Sequence, residues 1–241
     1  MGRIRHLLSH EGDADTDPST AVGQLTRQCR ALARAVSACG AGISVIDAER
    51  LGMSLATSGP RATELDGLQF TVGEGPSLEA FDLRRPVLEP DLSNGGGARW
   101  PGYAPAISEL GVRSVFAFPM QVGAARLAVL ALYREEAGPL PSASLNDALD
   151  FAALGVETML TNAPNGDLIQ DAEGVLDHHA EVYQAQGMVM VQLGIPLDEA
   201  MVRMRAHAYG HNIPLSRLAT DIVANRTTLD GDHVDGTRPD A

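Results

Sequence analysis

SVFAFPMQVGAARLAVLALYR, residues 114–134, decides the fold class of the larger part of the chain. Two runs rich in branched and aromatic residues, Ser114–Val122 and residues 126–134, flank a short Gly123-Ala124-Ala125 link, and that spacing predicts a β-hairpin. Working outward, GISVID (42–47) and GMSLATS (52–58) read as a second hairpin joined by AERL. PVLEPDL reads as a brief edge strand, because proline at each end limits ladder pairing. Ahead of all these, Val22, Leu25, Cys29, Leu32, Ala33 and Val36 recur at steps of three and four residues, the mark of a helix with one buried face. TELDGLQF, SLEAFDLR, AISEL and residues 144–160 are further helical segments, and Gly73-Glu74-Gly75-Pro76 is a sharp turn. Helices and strands do not alternate strictly, and the hairpins favour an antiparallel α+β sheet over a doubly wound parallel one. The expected domain spans residues 20–160, after a polar stretch, 1–19, that lacks apolar periodicity and reads as a disordered tail.

TNAPNGD opens a break at 161–170, and no later segment looks like a strand. Val175, Val182 and Val189 are spaced by sevens, as are Leu176, Tyr183 and Met190, which gives the helix of residues 171–193 two adjacent heptad columns. Gly194 stops that helix and Pro196 starts a second, with Leu197, Ala200, Met201, Met204 and Ala208 on its apolar face before Gly210 ends it. Pro214 opens a third, with Leu215, Leu218, Ala219, Ile222 and Val223 together. The expectation is an all-α three-helix bundle over 171–226 and a polar tail over 227–241.

Composition narrows the function. The formal net charge is −13 over 241 residues, and all 18 basic residues are arginine. Such a chain is a poor non-specific polyanion binder, so any nucleic-acid contact has to come from a local patch. No run approaches the length of a membrane span, and the expected location is the cytoplasm. Cys29 and Cys39, ten residues apart in one helix-like stretch, lie too far apart to pair. All seven histidines fall outside 20–160, so that domain holds no Ser/His/Asp or Cys/His set and no haem ligand of that kind. The expectation is a non-enzyme with no catalytic residue, metal site or cofactor. His207 and His211 have i, i+4 spacing but sit where a helix dipole favours histidine anyway. Glu74, in the glycine turn, and Trp100, the one tryptophan, are the candidates for lining a ligand pocket.

QAQGMVMVQLGIPLDEAMVRMRAHAYGHNIPLSRLATDIV resembles the ANTAR domain, a three-helix RNA-binding output module of bacterial antitermination regulators. The likeness rests on Ala185, Gly187-Met188, Gly194, Asp198-Glu199-Ala200, Met204-Arg205, Ala208, Asn212, Leu215 and Ala219. GEGPSLEAF, PVLEPDL and the long segment from Arg99 to Arg134 resemble a GAF domain, a signal-sensing α+β fold. The resemblance implies a cytoplasmic regulator in which a GAF-like domain perceives a small-molecule signal and controls binding of the ANTAR-like bundle to hairpin RNA in nascent transcripts. It also implies a homodimer joined through the helix around 171–193. Gln186, Arg205, His211, Asn212, Arg217 and Arg226 are the RNA-contact candidates, Asn212 serving a base edge or the cap of the third helix. Gln186 stands where the family commonly has lysine. With four arginines against five acids, residues 175–226 carry a net charge of −1. That balance leaves an alternative, a protein-interaction adaptor whose bundle no longer binds RNA.

Overall fold

A computed structural model describes residues 2–9, 17, 19–47, 50–162 and 173–229. The chain divides into two compact units, Met1–Leu176 and Asp177–Ala241. In the first, β1 (Gly40–Ile46), β2 (Gly52–Thr57), β3 (Val87–Glu89), β4 (Ser114–Val122) and β5 (Ala125–Arg134) form one sheet of order β2-β1-β5-β4-β3. All neighbours are antiparallel. The hairpin of residues 114–134 is therefore its centre. Val122 pairs with Ala125, leaving Gly123 (φ 57) and Ala124 as the loop. The three-residue β3, flanked by Pro86 and Pro90, is an edge strand as its prolines require.

Both faces of the sheet are covered, which explains why its central strands read as near-continuous apolar runs. Phe116, Phe118 and Met120 alternate to one face with Ala128, Leu130 and Leu132, and pack with α2 (Ala21–Ala35) and α7 (Ser142–Asn162). Val115, Ala117, Val129, Ala131 and Tyr133 alternate to the other. That face meets α3 (Pro60–Val72), α4 (Pro76–Leu83) and α6 (Tyr103–Glu109), with a single turn, α5 (Gly96–Arg99), between the last two. Thr20 caps α2 by accepting the Gly23 N–H at 3.0 Å. Gln28 Nε2 donates to Thr158 Oγ1 at 2.8 Å and ties α2 to α7. Gly155 lets α7 lie close on the sheet, since a Cβ there would fall 2.6 Å from Met120 Cε.

Part of the expected N-terminal tail is a helix. α1 (Gly2–Ser9) places Ile4, 7% exposed, with Leu7 and Leu8 against the α2/α7 core, and this i, i+3, i+4 spacing is the amphipathic pattern that polar neighbours obscured. Residues 10–16 of that tail, and 163–172 across the expected linker, lie outside the described residues.

The second unit is built from α8 (Glu173–Leu193), α9 (Leu197–Gly210) and α10 (Leu215–Val223). One stop device serves all three. Gly194, Asn212 and Asn225 take left-handed φ values of 65, 52 and 54. The following N–H then reaches back: Ile195 to Met190 O at 3.2 Å, Ile213 to Ala208 O at 3.0 Å, Arg226 to Asp221 O at 2.8 Å. Pro196 and Pro214 restart the helix after the first two stops. Asn212 thus closes the second helix and does not cap the third.

The heptad reading needs correction. Val182 and Val189, 5% and 0% exposed, are buried with Ala185, Ala200, Met204, Ala208, Leu215, Leu218, Ala219 and Ile222, so that column belongs to this chain's own core and not to a dimer seam. The side chains of Val175 and Leu176 lie outside the described residues. Of the second column, Tyr183 is 37% exposed. The expected polar tail also begins packed: Leu229 is 4% exposed and its carbonyl accepts from Gln192 Nε2 at 2.8 Å. Residues 230–241 lie outside the described residues.

Candidate functional site

In the second unit α10 and the turn after it bring two arginines together. Arg217 and Asp221 lie one helical turn apart, and Arg217 Nε donates to Asp221 Oδ2 at 3.1 Å. The left-handed turn at Asn225 brings Arg226 back, so that its Nε and Nη2 reach Asp221 Oδ1 at 2.8 and 2.7 Å. The two arginine side chains are 68% and 55% exposed and the carboxylate only 17%, so the guanidiniums lie outside and the acid beneath them. Hydrogen bonds from Arg226 and then Arg217 hold the Asp221 carboxyl below the usual carboxylate range.

The other RNA-contact candidates are more scattered. Arg205 is half-buried on α9, while His211 and Asn212 are exposed at its end. The His207 and His211 rings stack with centroids 4.0 Å apart at 18°, and His211 Nδ1 lies 2.8 Å from His207 O. Rings held face to face do not aim their nitrogens at one ion, and among the described residues no group of three or more His, Cys, Asp or Glu could hold a metal. Burial, and then His211, lower the His207 pKa. Gln186 is not a surface residue: 7% exposed, it donates from Nε2 to Leu197 O at 2.7 Å and braces the start of α9. The amide meets the Leu197 carbonyl without placing a charge in this buried position.

In the first unit, a polar network lies beneath α3, α4 and α6. Ser44 and Ser54 donate to Asp66 Oδ2, and Tyr133 Oη donates to Asp66 Oδ1 at 2.8 Å. Gln69 Nε2 donates to Ser77 Oγ and Tyr133 Oη, each at 3.0 Å, and Gln69 Oε1 accepts the Ser77 N–H at 2.7 Å. Asp66, Gln69, Ser77, Tyr103 and Tyr133 all have 0% exposure. Burial pushes the Asp66 carboxyl up, against the hydrogen bonds that lower it. The Tyr103 hydroxyl finds no partner among the described residues.

Glu74 and Trp100, the two pocket candidates, both make contacts that hold this interior together. Glu74 Oε1 accepts the Gly102 and Tyr103 N–H groups and so caps α6 from across the fold. Trp100 is 3% exposed and donates from Nε1 to Glu79 Oε2 at 3.1 Å, while Arg99 lies 4.4 Å over its ring. Arg99 also bridges Glu79 at 2.6 Å and Glu89 at 3.1 Å. The loop between β3 and α6 is therefore fastened over the sheet, with Glu74 and Trp100 among the fastenings.

Sequence reasoning missed Asp221, counting it only as an opposing acid, although its i+4 spacing from Arg217 was readable. It missed Asp66 and Gln69 as well. Both share the buried stripe Ala62, Leu65, Asp66, Gln69, Phe70, and a polar residue at helical spacing on such a stripe is the available signal.

The two units resemble different known domains. The first has the GAF fold. The chain is similar to the GAF domain region of a protein from Geobacter sulfurreducens PCA, at 16% identity over 58% of this chain and 93% of that one, with a TM-score of 0.50. It is also similar to the GAF domain of a phosphoenolpyruvate-protein phosphotransferase from Coxiella burnetii, at 15% identity over 68% and 93%, again with a TM-score of 0.50. Residues 170–223 match the model of the ANTAR domain. The chain therefore has a GAF plus ANTAR architecture. No curated protein matches it. No described helix is long and apolar enough to cross a membrane.

Proposed function

We propose that this chain is a signal-responsive transcription antitermination regulator of the cytoplasm, in which the GAF-fold unit governs binding of the ANTAR bundle to hairpin RNA. The ANTAR match over 170–223 carries the reading, and the outward Arg217–Arg226 pair supports it. Arginine forks suit phosphate, and paired RNA is recognised largely through backbone and shape. Arg205, His211 and Asn212 supply further contacts from α9 and its end. Gln186 contributes by fixing the link between α8 and α9.

A homodimer through the outward side of α8, where Tyr183 and Val191 are 37% and 76% exposed, would present two bundles to two hairpins. A small-molecule signal would act on the first unit by displacing the loop that Glu74, Glu79 and Arg99 hold closed. Neither step calls for catalysis, and the network around Asp66, whose carboxylate is held by the hydroxyls of Ser44, Ser54 and Tyr133, serves as a buried frame.

The test is fluorescence anisotropy of the full chain with a two-hairpin RNA, alongside read-through of a terminator placed after it. Saturable binding that is markedly weakened but still measurable on joint Arg217→Ala and Arg226→Ala substitution, with read-through falling in step, is the expected result. A chain that binds no such RNA removes the reading. Exposed Val191, Val202 and Tyr209 then favour the adaptor, with the bundle docking another protein.

A further inference from the structure

We propose that Asp221 is a positioning residue that makes one phosphate seat out of Arg217 and Arg226, so that an acid inside an RNA interface strengthens binding. The inference rests on the reading of this bundle as RNA-binding and specifies where one backbone phosphate sits.

Arg217 spends its Nε on Asp221, and Arg226 spends its Nε and Nη2. Each guanidinium has five N–H donors, so the remaining donors of both stay available, and among the described residues no other side chain holds either one. Two guanidiniums repel one another and, unattached, would sample many rotamers. Here one carboxylate holds both, one on each oxygen, and the backbone turn at Asn225 adds a second constraint through the Arg226 N–H to Asp221 O bond of 2.8 Å. The acid is 17% exposed beneath arginines of 68% and 55%, so an anion approaching from solvent meets donors first and carboxylate last. The trio keeps a net positive charge. Holding the two arginines in place before binding removes the ordering cost that flexible side chains incur when they bind.

This reverses the sign that net charge alone gives. Asp221→Asn removes a negative charge from a surface facing RNA, and a simple field argument predicts tighter binding. With the seat in place, the same substitution frees two arginines and weakens binding by about threefold to tenfold.

The experiment uses the full chain and a two-hairpin RNA selected from a randomised-loop pool by the unsubstituted protein. The expected results are weaker binding by Asp221→Asn, recovery of most of it by Asp221→Glu, and no further weakening when Asp221→Asn is added to the Arg217→Ala, Arg226→Ala pair. Helix content by circular dichroism stays unchanged throughout. The last comparison separates positioning from folding, because a merely structural role weakens binding equally in both backgrounds. Equal or tighter binding by Asp221→Asn, or equal loss in both backgrounds, overturns the inference while RNA binding itself stands. Failure of the selection to yield any RNA overturns both.

Discussion

The Asp66 carboxyl lies at 0% exposure, with both oxygens held by the hydroxyls of Ser44, Ser54 and Tyr133. Burial raises its pKa in the folded state above the unfolded value of about 4. Below that value both states hold the proton and the full contribution to stability is present. As pH rises through the raised folded pKa the unfolded state has already released its proton, so the contribution is lost. The unfolding midpoint of the first unit is therefore expected to fall as pH is raised from about 4, and Asp66→Asn to flatten the profile in thermal melts. An unsubstituted protein already flat over that range would contradict it. Gly75 offers a second test. Its φ is 142, and a Cβ there would lie 2.6 Å from Gln69 Oε1, the acceptor for Ser77. Gly75→Ala is expected to cost about 2–3 kcal/mol in urea unfolding, through backbone strain and the broken Gln69 contact together. The sequence marked Gly75 as a turn residue, but not the side chain that fills the space beside it.

Helices and strands were legible where their pattern depends on local chemistry. The 114–134 hairpin, the proline-flanked edge strand and the restarts at Pro196 and Pro214 all follow from residue type and spacing. The α8 columns were not, because heptad spacing says that a face is buried and leaves open what buries it; Val182 and Val189 meet their own chain. The capping role of Glu74 was illegible for a similar reason. A carboxylate beside a glycine turn is equally consistent with a ligand contact, and only the fold brings it to Gly102 and Tyr103, more than 25 residues on. Glu74→Gln is expected to weaken this cap by about 1 kcal/mol and to speed amide hydrogen exchange at those two residues first. At the stop of α8, Gly194→Ala forces a side chain into φ 65 and is expected to cost about 1 kcal/mol, read as a shifted urea midpoint.

Across the whole molecule, −13 of net charge has to coexist with affinity for a polyanion. A local seat of two arginines resolves this if only a few phosphates are engaged, which fixes the salt response. With the one phosphate of this seat neutralised, RNA affinity is expected to fall only about threefold between about 50 and 200 mM salt. A drop of several hundredfold would mean a wider basic surface than α10 and its turn provide. The pinned loop of the first unit has a practical consequence as well. Trp100 is the one indole in 241 residues, and it lies beneath the Arg99 guanidinium with its N–H on Glu79. Its intrinsic fluorescence therefore reports on that loop alone. Whatever compound loosens the fastenings will shift the emission to longer wavelength as water reaches the ring, so candidate signals can be screened optically on the unlabelled protein.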